Sequence, residues 1–128
     1  MRVLLDTHAL LWAAISPASL SRNASSVIAD EANTILVSAA SAWEIATKVR
    51  LGKLPEAESF EKEFLEAMTE AGYTMLSIDS ESALRAGRLI GKHRDPFDRM
   101  IAAQALSEDI PVISADPKLD SFGIRRLW

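Results

Sequence analysis

Short apolar runs alternate along this chain with longer segments in which apolar residues recur at helical spacing. Extended runs are predicted at residues 2–5, 34–37, 73–78, 111–114 and 123–128. Between them, apolar positions repeat every three or four residues, as on the buried face of a helix. The alternation of strand and helix predicts an α/β fold with a central, mainly parallel sheet and helices on both faces.

Residues that commonly begin or end helices set the expected boundaries. Glycines follow three of the helical segments, at Gly52, Gly72 and Gly91, and Asp95-Pro96 is typical of a helix start. Helices are therefore predicted at residues 7–15, 22–31, 39–51, 81–90 and 96–107, with another around residues 60–68 and a helical turn at 116–120.

Composition narrows the class of protein. With 128 residues, of which 48% are hydrophobic, the chain can build one core, so a single domain over residues 1–128 is expected. The absence of cysteine excludes disulfides and thiolate zinc sites, and the cytoplasm is the default location. No apolar run is long enough to cross a bilayer. The net charge of -4 argues against a wide basic surface for duplex DNA but allows a local basic patch.

Four acidic residues lie at or near points where the pattern changes from strand to helix: Asp6, Glu44, Asp98 and Asp116. Because the carboxyl ends of parallel strands share one edge of a sheet, these side chains are expected to converge. Each has a simpler explanation as well. Asp6 and Asp116 could cap the helical segments that follow them, and Ser41-x-x-Glu44 matches a capping box.

Helix capping alone does not explain why all four positions are acidic, since Ser, Thr and Asn cap as well without mutual repulsion. A bound cation would offset that repulsion. Carboxylates, with only His8 and His93 as imidazoles, favour Mg²⁺ or Mn²⁺ over zinc or copper. Such ions activate water for attack on phosphorus, which points to phosphodiester hydrolysis. No nucleotide-binding, zinc-peptidase or serine-hydrolase motif competes with this interpretation.

Four sequence blocks together resemble the PIN-domain ribonucleases, specifically the VapC-type toxins of bacterial toxin–antitoxin pairs. The blocks are Leu4-Leu5-Asp6-Thr7-His8, Ser41-Ala42-Trp43-Glu44-Ile45, His93-Arg94-Asp95-Pro96-Phe97-Asp98-Arg99-Met100 and Ile113-Ser114-Ala115-Asp116. The resemblance implies a three-layer α/β/α fold, RNA cleavage dependent on Mg²⁺ or Mn²⁺, homodimerisation, and neutralisation by a small antitoxin whose tail enters the active site.

The resemblance also implies roles for individual residues. Asp6, Glu44 and Asp98 match the core catalytic and metal-binding acids, and Asp116 matches a fourth, more variable one. Thr7 and Ser114 occupy positions where a hydroxyl often holds a metal-bound water. Because a metal-activated water would be the nucleophile, cleavage is expected to leave a 5′-phosphate.

Basic residues cluster just before and within the predicted helix that carries Asp98. Among them, His93, Arg94 and Arg99 border the acidic site and are the candidates for contacts with RNA phosphates. Asp95 is expected to act chiefly as the cap of that helix.

Two other classes of protein remain open at this point. A phospho-accepting receiver domain would have an acidic pair after the first strand and a lysine after a late one, whereas Thr7 follows Asp6 and Ala115 follows Ser114. A partner-binding module on the same fold would use the acids only as caps. The RNA target, the antitoxin and the number of metal ions are not readable from the sequence.

Overall fold

A five-stranded parallel sheet forms the centre of the structure, a computed structural model that describes residues 1–128. The strand order is β3-β2-β1-β4-β5, and every neighbouring pair is parallel. The predicted sheet is confirmed, and the last extended run contributes its fifth strand. The strands are β1 (Arg2–Leu5), β2 (Thr34–Ser38), β3 (Thr74–Leu76), β4 (Val112–Ile113) and β5 (Arg126–Leu127).

Seven α-helices cover the two faces of the sheet. No helix is both long and apolar enough to span a bilayer. The helices are α1 (Thr7–Ile15), α2 (Arg22–Ala29), α3 (Ala39–Arg50), α4 (Glu58–Lys62), α5 (Phe64–Ala71), α6 (Ser80–Arg88) and α7 (Pro96–Glu108), with 3₁₀ turns at Pro17–Ser19, Pro55–Ala57 and Pro117–Phe122.

Two apolar clusters, one on each face of the sheet, make the fold three-layered. Successive residues of β1 point to opposite faces, and both faces are buried, which explains why Val3, Leu4 and Leu5 are all apolar. Val3 and Leu5 pack with residues of α1, α3 and α5, whereas Leu4 packs with α7 and the last 3₁₀ turn. The predicted α/β/α arrangement is therefore confirmed.

The strand register aligns the residues that follow β1, β2 and β4. Leu5 pairs with Val37 on one side and with Ile113 on the other. The Asp6 amide donates to the Ile113 carbonyl, which extends the alignment by one residue. Asp6, Ser38 and Ser114 thus end three neighbouring strands at the same edge of the sheet.

Two predicted helices differ from the observed ones. The helix around residues 60–68 is divided into α4 and α5 at Glu63, whose backbone departs from helical angles. The helix predicted at residues 81–90 ends at Arg88, because Arg99 Nε takes the Ala86 carbonyl that would otherwise accept from Ile90. Ile90 is consequently 93% exposed rather than part of a helix.

Candidate active site

Asp6 lies at the junction of β1 and α1 and is only 4% exposed. Its Oδ1 accepts a hydrogen bond of 2.7 Å from the Ala9 amide, so the predicted N-cap is present. Burial raises the pKa of Asp6 to about 6, although hydrogen bonds from Ser114 and Ala9 oppose the shift. The cap uses only one of the two carboxylate oxygens, Oδ1.

Ser114, fully buried at the end of β4, connects two of the acids. Its hydroxyl hydrogen-bonds to the Asp6 carboxylate, and its Oγ accepts from the Asp116 amide at 3.0 Å. Asp116 in turn caps the last 3₁₀ turn, with Oδ1 accepting from the Lys118 amide at 2.9 Å. Ser114 therefore contacts the carboxylate of Asp6 and the backbone of Asp116.

Glu44 lies in the second turn of α3 and is 3% exposed. Its Oε2 accepts from Lys48 one turn later, the ion pair that helical spacing allows. Its Oε1 is buried without any hydrogen-bond partner. A buried carboxylate oxygen in this state costs free energy unless a cation or a donor reaches it.

The predicted capping box at Ser41 is wrong. Helix α3 begins at Ala39, and its N-cap is Ser38, three residues before Ser41, with Oγ accepting from the Ala40 amide at 3.0 Å. Ser41 instead shares a buried hydrogen bond of 2.9 Å with the Thr7 hydroxyl. This bond joins the helices that carry Asp6 and Glu44, so Thr7 has a protein partner at the position predicted for a water-holding hydroxyl.

Asp98 occupies the first turn of α7, whose N-cap is Asp95 as predicted. Its Oδ2 shares a hydrogen bond of 2.6 Å with Nε2 of His93. Partial burial raises the pKa of Asp98, and the negative charges of Asp95 and Glu44 add to that increase. The same repulsion acts on Asp6, because the charge of Asp98 contributes to its raised pKa.

The four predicted acids are therefore near one another at the carboxyl edge of the sheet. Ligand atoms of His93, Asp98 and Asp116 lie within 4.8 Å of one another. Asp6 and Glu44 are not part of this group of three, but they lie near it. The charge of Glu44 raises the pKa of Asp98, and the charge of Asp98 raises the pKa of Asp6. His93, predicted as a phosphate contact, lies among the possible metal ligands.

This arrangement fits a divalent cation. The donors are carboxylate oxygens and one imidazole, a set that suits Mg²⁺ or Mn²⁺ better than softer metals. Glu44 Oε1 is buried without a partner, and burial, together with the charge of neighbouring carboxylates, raises the pKa values of Asp6 and Asp98. Each of these features makes the ionised carboxylate less favourable in the folded protein. A cation bound among these groups would remove that cost.

Arg99 has a structural role that differs from its predicted contact with RNA. Its guanidinium donates to the carbonyls of Ala86 at 3.0 Å, His93 at 3.1 Å, and Leu89. It also lies 5.5 Å from the centre of the Phe122 ring. With one hydrogen bond from each of its three nitrogens, Arg99 holds the segment from Leu89 to Asp95 and thereby keeps His93 near Asp98.

A basic concavity adjoins the acidic cluster, and its lining includes two predicted phosphate contacts. The lining residues are Lys92, His93, Arg94, Lys118 and Ser121. Sequence reasoning missed Lys118 and Ser121, because nothing in the local pattern relates the 3₁₀ turn after Asp116 to the segment before α7. Their only sequence signal was proximity to Asp116.

An apolar groove lies between α3, α6 and α7. Trp43 is 62% exposed there, and its ring meets Phe97 edge-on with centroids 4.9 Å apart. Both residues flank acids of the cluster, Glu44 and Asp98. The groove is thus an exposed aromatic surface beside the candidate active site.

Comparison with known proteins agrees with this geometry. The family profile described as PIN domain matches residues 3–124. Ribonuclease VapC16 of Mycobacterium tuberculosis is 47% identical over 53 residues, which span 41% of this chain and 38% of that protein.

Solved structures share the fold at low sequence identity. VapBC2 from Rickettsia felis, bound to a DNA fragment from its promoter, matches with a TM-score of 0.68 and 16% identity, covering 99% of this chain and 98% of that one. FitAcB from Neisseria gonorrhoeae matches with a TM-score of 0.66 and 19% identity, covering 98% and 96%. The family match over almost the whole sequence, together with this fold and acidic site, shows that the chain belongs to the PIN domain family.

Proposed function

We propose that this protein is an endoribonuclease dependent on Mg²⁺ or Mn²⁺ and the toxin of a toxin–antitoxin pair. One observation carries the proposal: His93, Asp98 and Asp116 offer ligand atoms within 4.8 Å of one another, and the buried Oε1 of Glu44 nearby has no hydrogen-bond partner. Structural needs alone do not account for a buried carboxylate oxygen without any donor. The similarity to Ribonuclease VapC16 supports RNA as the substrate.

Asp6, Glu44, Asp98 and Asp116 are the proposed metal-binding and catalytic residues. When bound, the metal would supply a nucleophilic water and stabilise the leaving oxygen of a phosphodiester. Glu44 keeps Oε1 free of protein hydrogen bonds for this task, while Lys48 fixes its other oxygen. Ala9 and Ser114 hold the Asp6 carboxylate in place. His93 orients Asp98 through its hydrogen bond and borders the path of the substrate.

In this proposal the hydroxyls of Thr7 and Ser114 act mainly by holding the acids and their helices in position. Ser114 contacts the carboxylate of Asp6 and the backbone of Asp116, and Thr7 ties α1 to α3 through Ser41. Both are buried beside the acids, so changes in either would shift the carboxylates before they altered the fold.

We further propose that a small antitoxin and a second copy of this chain are its protein partners in the cytoplasm. The solved structures with this fold include VapBC and FitAB complexes. The exposed aromatic surface at Trp43 and Phe97 supports contact with a protein, because large apolar side chains are rarely left exposed together. Light scattering on the purified chain tests the homodimer, and co-purification with the product of a neighbouring gene tests the antitoxin.

The nuclease is tested by incubating purified protein with total RNA in Mg²⁺, Mn²⁺ or EDTA, beside the variant Asp98→Asn. Discrete products with 5′-phosphate ends are expected only with metal and only from the unaltered protein. Asp79→Asn is the matched control, since Asp79 also caps a helix but lies outside the cluster. This control should cleave normally.

Absence of cleavage in every condition, together with no metal binding by calorimetry, would overturn the proposal. The partner-binding module would then be the better explanation of the fold. Unfolding of Asp98→Asn, detected by circular dichroism, would instead indicate that Asp98 serves the structure rather than the reaction.

A further inference from the structure

The basic concavity beside the acidic cluster has two walls, and each wall adjoins a candidate metal ligand in the sequence. One wall is the segment before α7, which carries Lys92, His93 and Arg94 and leads to Asp98. The other is the 3₁₀ turn capped by Asp116, which carries Lys118 and Ser121. His93 links the concavity to the acidic cluster, because it lines the concavity and hydrogen-bonds to Asp98.

The charge of this concavity is uncompensated. Lys92, Arg94 and Lys118 are exposed, and none of them forms an ion pair. No carboxylate lines the concavity. In a chain of net charge -4, three free cations at one place mark a local site for anions.

The walls are held in place by packing. A Cβ added to Gly91 would lie 2.8 Å from the Phe122 ring, so the two walls touch closely at this point. The guanidinium of Arg99 also lies over the Phe122 ring, 5.5 Å from its centre, and donates a hydrogen bond to the His93 carbonyl. The concavity is therefore preorganised by buried or half-buried residues beneath its flexible basic side chains.

We propose that Lys92, Arg94, Lys118 and Ser121 form a subsite for an RNA phosphate next to the phosphodiester that is cleaved. This inference rests on the proposed nuclease function and extends the phosphate contact predicted at Arg94 to Lys118 and Ser121, which were not expected to bind substrate. A single strand whose reacting phosphate lies at Asp98 and Asp116 would pass His93 and reach the three cations directly. The ammonium and guanidinium groups would bind the strand by charge without reading its sequence.

The test uses a fluorescently labelled single-stranded RNA of about 16 nucleotides, long enough to fill a single-strand site. Its affinity is measured by anisotropy in EDTA, which prevents metal-dependent cleavage, over a series of salt concentrations. Lys118→Gln is expected to reduce the slope of log Kd against log salt by roughly 0.7, the value for one lost phosphate contact to a single strand. Combining Lys118→Gln with Arg94→Gln should double the reduction.

Lys53→Gln is the matched control. It removes one exposed, unpaired lysine beyond the carboxyl-terminal end of α3, far from the helix start beside the site. The salt slope of this control should equal that of the unaltered protein. Unchanged slopes in the Lys118 and Arg94 variants, or no RNA binding by the unaltered protein, would overturn the subsite.

Parallel cleavage assays separate this inference from the nuclease itself. A higher KM with unchanged kcat in Lys118→Gln supports the subsite. Cleavage by the unaltered protein without any effect of Lys118→Gln on KM or on the salt slope would reject the subsite and leave the nuclease standing. Reduced salt slopes without cleavage in Mg²⁺ or Mn²⁺ would support RNA binding and reject the nuclease.

Discussion

Asp6 combines two demands on one carboxylate. It caps α1 through Oδ1, and it is buried among other acids, which raises its pKa to about 6 from an ordinary value of 3.8. In the unfolded chain Asp6 loses its proton at lower pH than in the folded protein. The folded state is therefore penalised as pH rises from about 4, and the penalty is complete above about pH 6, where it reaches roughly 3 kcal/mol.

Asp6→Asn should remove this penalty while keeping the cap. We expect urea unfolding in EDTA to show the variant more stable than the unaltered protein at pH 7, by up to about 3 kcal/mol, with no difference near about pH 4. Asp79→Asn is the control, because the pKa of Asp79 is lowered by its hydrogen bonds to Ser82 and its effect on stability has the opposite sign. An Asp6→Asn variant less stable than the unaltered protein at pH 7 would contradict this account.

Lys48 neutralises the only partnered oxygen of Glu44. Lys48→Met should destabilise the metal-free protein by about 3 kcal/mol, since it leaves a buried carboxylate without any partner. Lys62→Met removes a pair with the same spacing at the surface, to Glu58, and should cost less than about 0.5 kcal/mol. Urea unfolding distinguishes the two, and equal losses would show that Glu44 does not depend on Lys48.

At the scale of single residues, the sequence predicted helix caps more reliably than hydrogen bonds between side chains distant in the chain. The caps at Asp6, Asp95 and Asp116 were predicted, because capping depends on neighbouring residues in the chain. The bond between Thr7 and Ser41 was missed, since it joins residues that only the folded sheet brings together. The catalytic roles themselves remain predictions.

At the scale of elements, the segment between α6 and α7 is the part that the sequence described least well. Its apolar spacing extended the predicted helix to Ile90, whereas the long-range hydrogen bonds of Arg99 end it at Arg88. Local patterns carry no information on such a contact. By contrast, the ends of α1 and α7 follow from local caps and were predicted to within one residue.

Arg99→Lys tests whether Arg99 supports this segment. One ammonium cannot reproduce three hydrogen bonds to separate carbonyls, so the segment should lose roughly 2 kcal/mol of local stability. Backbone amides of residues 89–95 should then exchange with deuterium about thirtyfold faster. Arg88→Lys, at an exposed position without a recorded partner, should leave exchange unchanged.

Normal deuterium exchange in Arg99→Lys would instead favour the original prediction that Arg99 contacts an RNA phosphate. In that case Arg99→Lys would keep its charge and the normal exchange of the segment. Arg99→Gln would then lower the salt slope of RNA binding without affecting exchange.

At the scale of the whole molecule, the sheet assembles a site from residues spread across almost the entire sequence. The alternation of strands and helices predicted this convergence, because one sheet edge is common to all parallel strands. Only one wall of the basic concavity, with His93 and Arg94, was predicted to contact phosphates. The wall with Lys118 and Ser121 was missed, since it lies far along the chain and meets the first wall through contacts such as that of Phe122 with Gly91.

Metal binding should stabilise the whole molecule, because the folded acids repel one another without it. A concentration of Mg²⁺ or Mn²⁺ one hundred times Kd should add about 2.7 kcal/mol to the free energy of unfolding. Thermal unfolding at matched ionic strength measures the effect, and Asp98→Asn should reduce it strongly. Equal stabilisation of both proteins would mean that the ions bind elsewhere.

The position of β1 in the sheet has a consequence for synthesis of the protein. Leu5 pairs with Val37 on one side and with Ile113 on the other. During translation, β1 therefore lacks one of its two neighbouring strands until residue 113 has been added. Asp6 and Glu44 emerge early, whereas Asp98 and Asp116 emerge late. A nascent chain that stops before β4 carries only part of the acidic cluster, and a cell making this protein therefore encounters the complete site only after residue 116 has been translated.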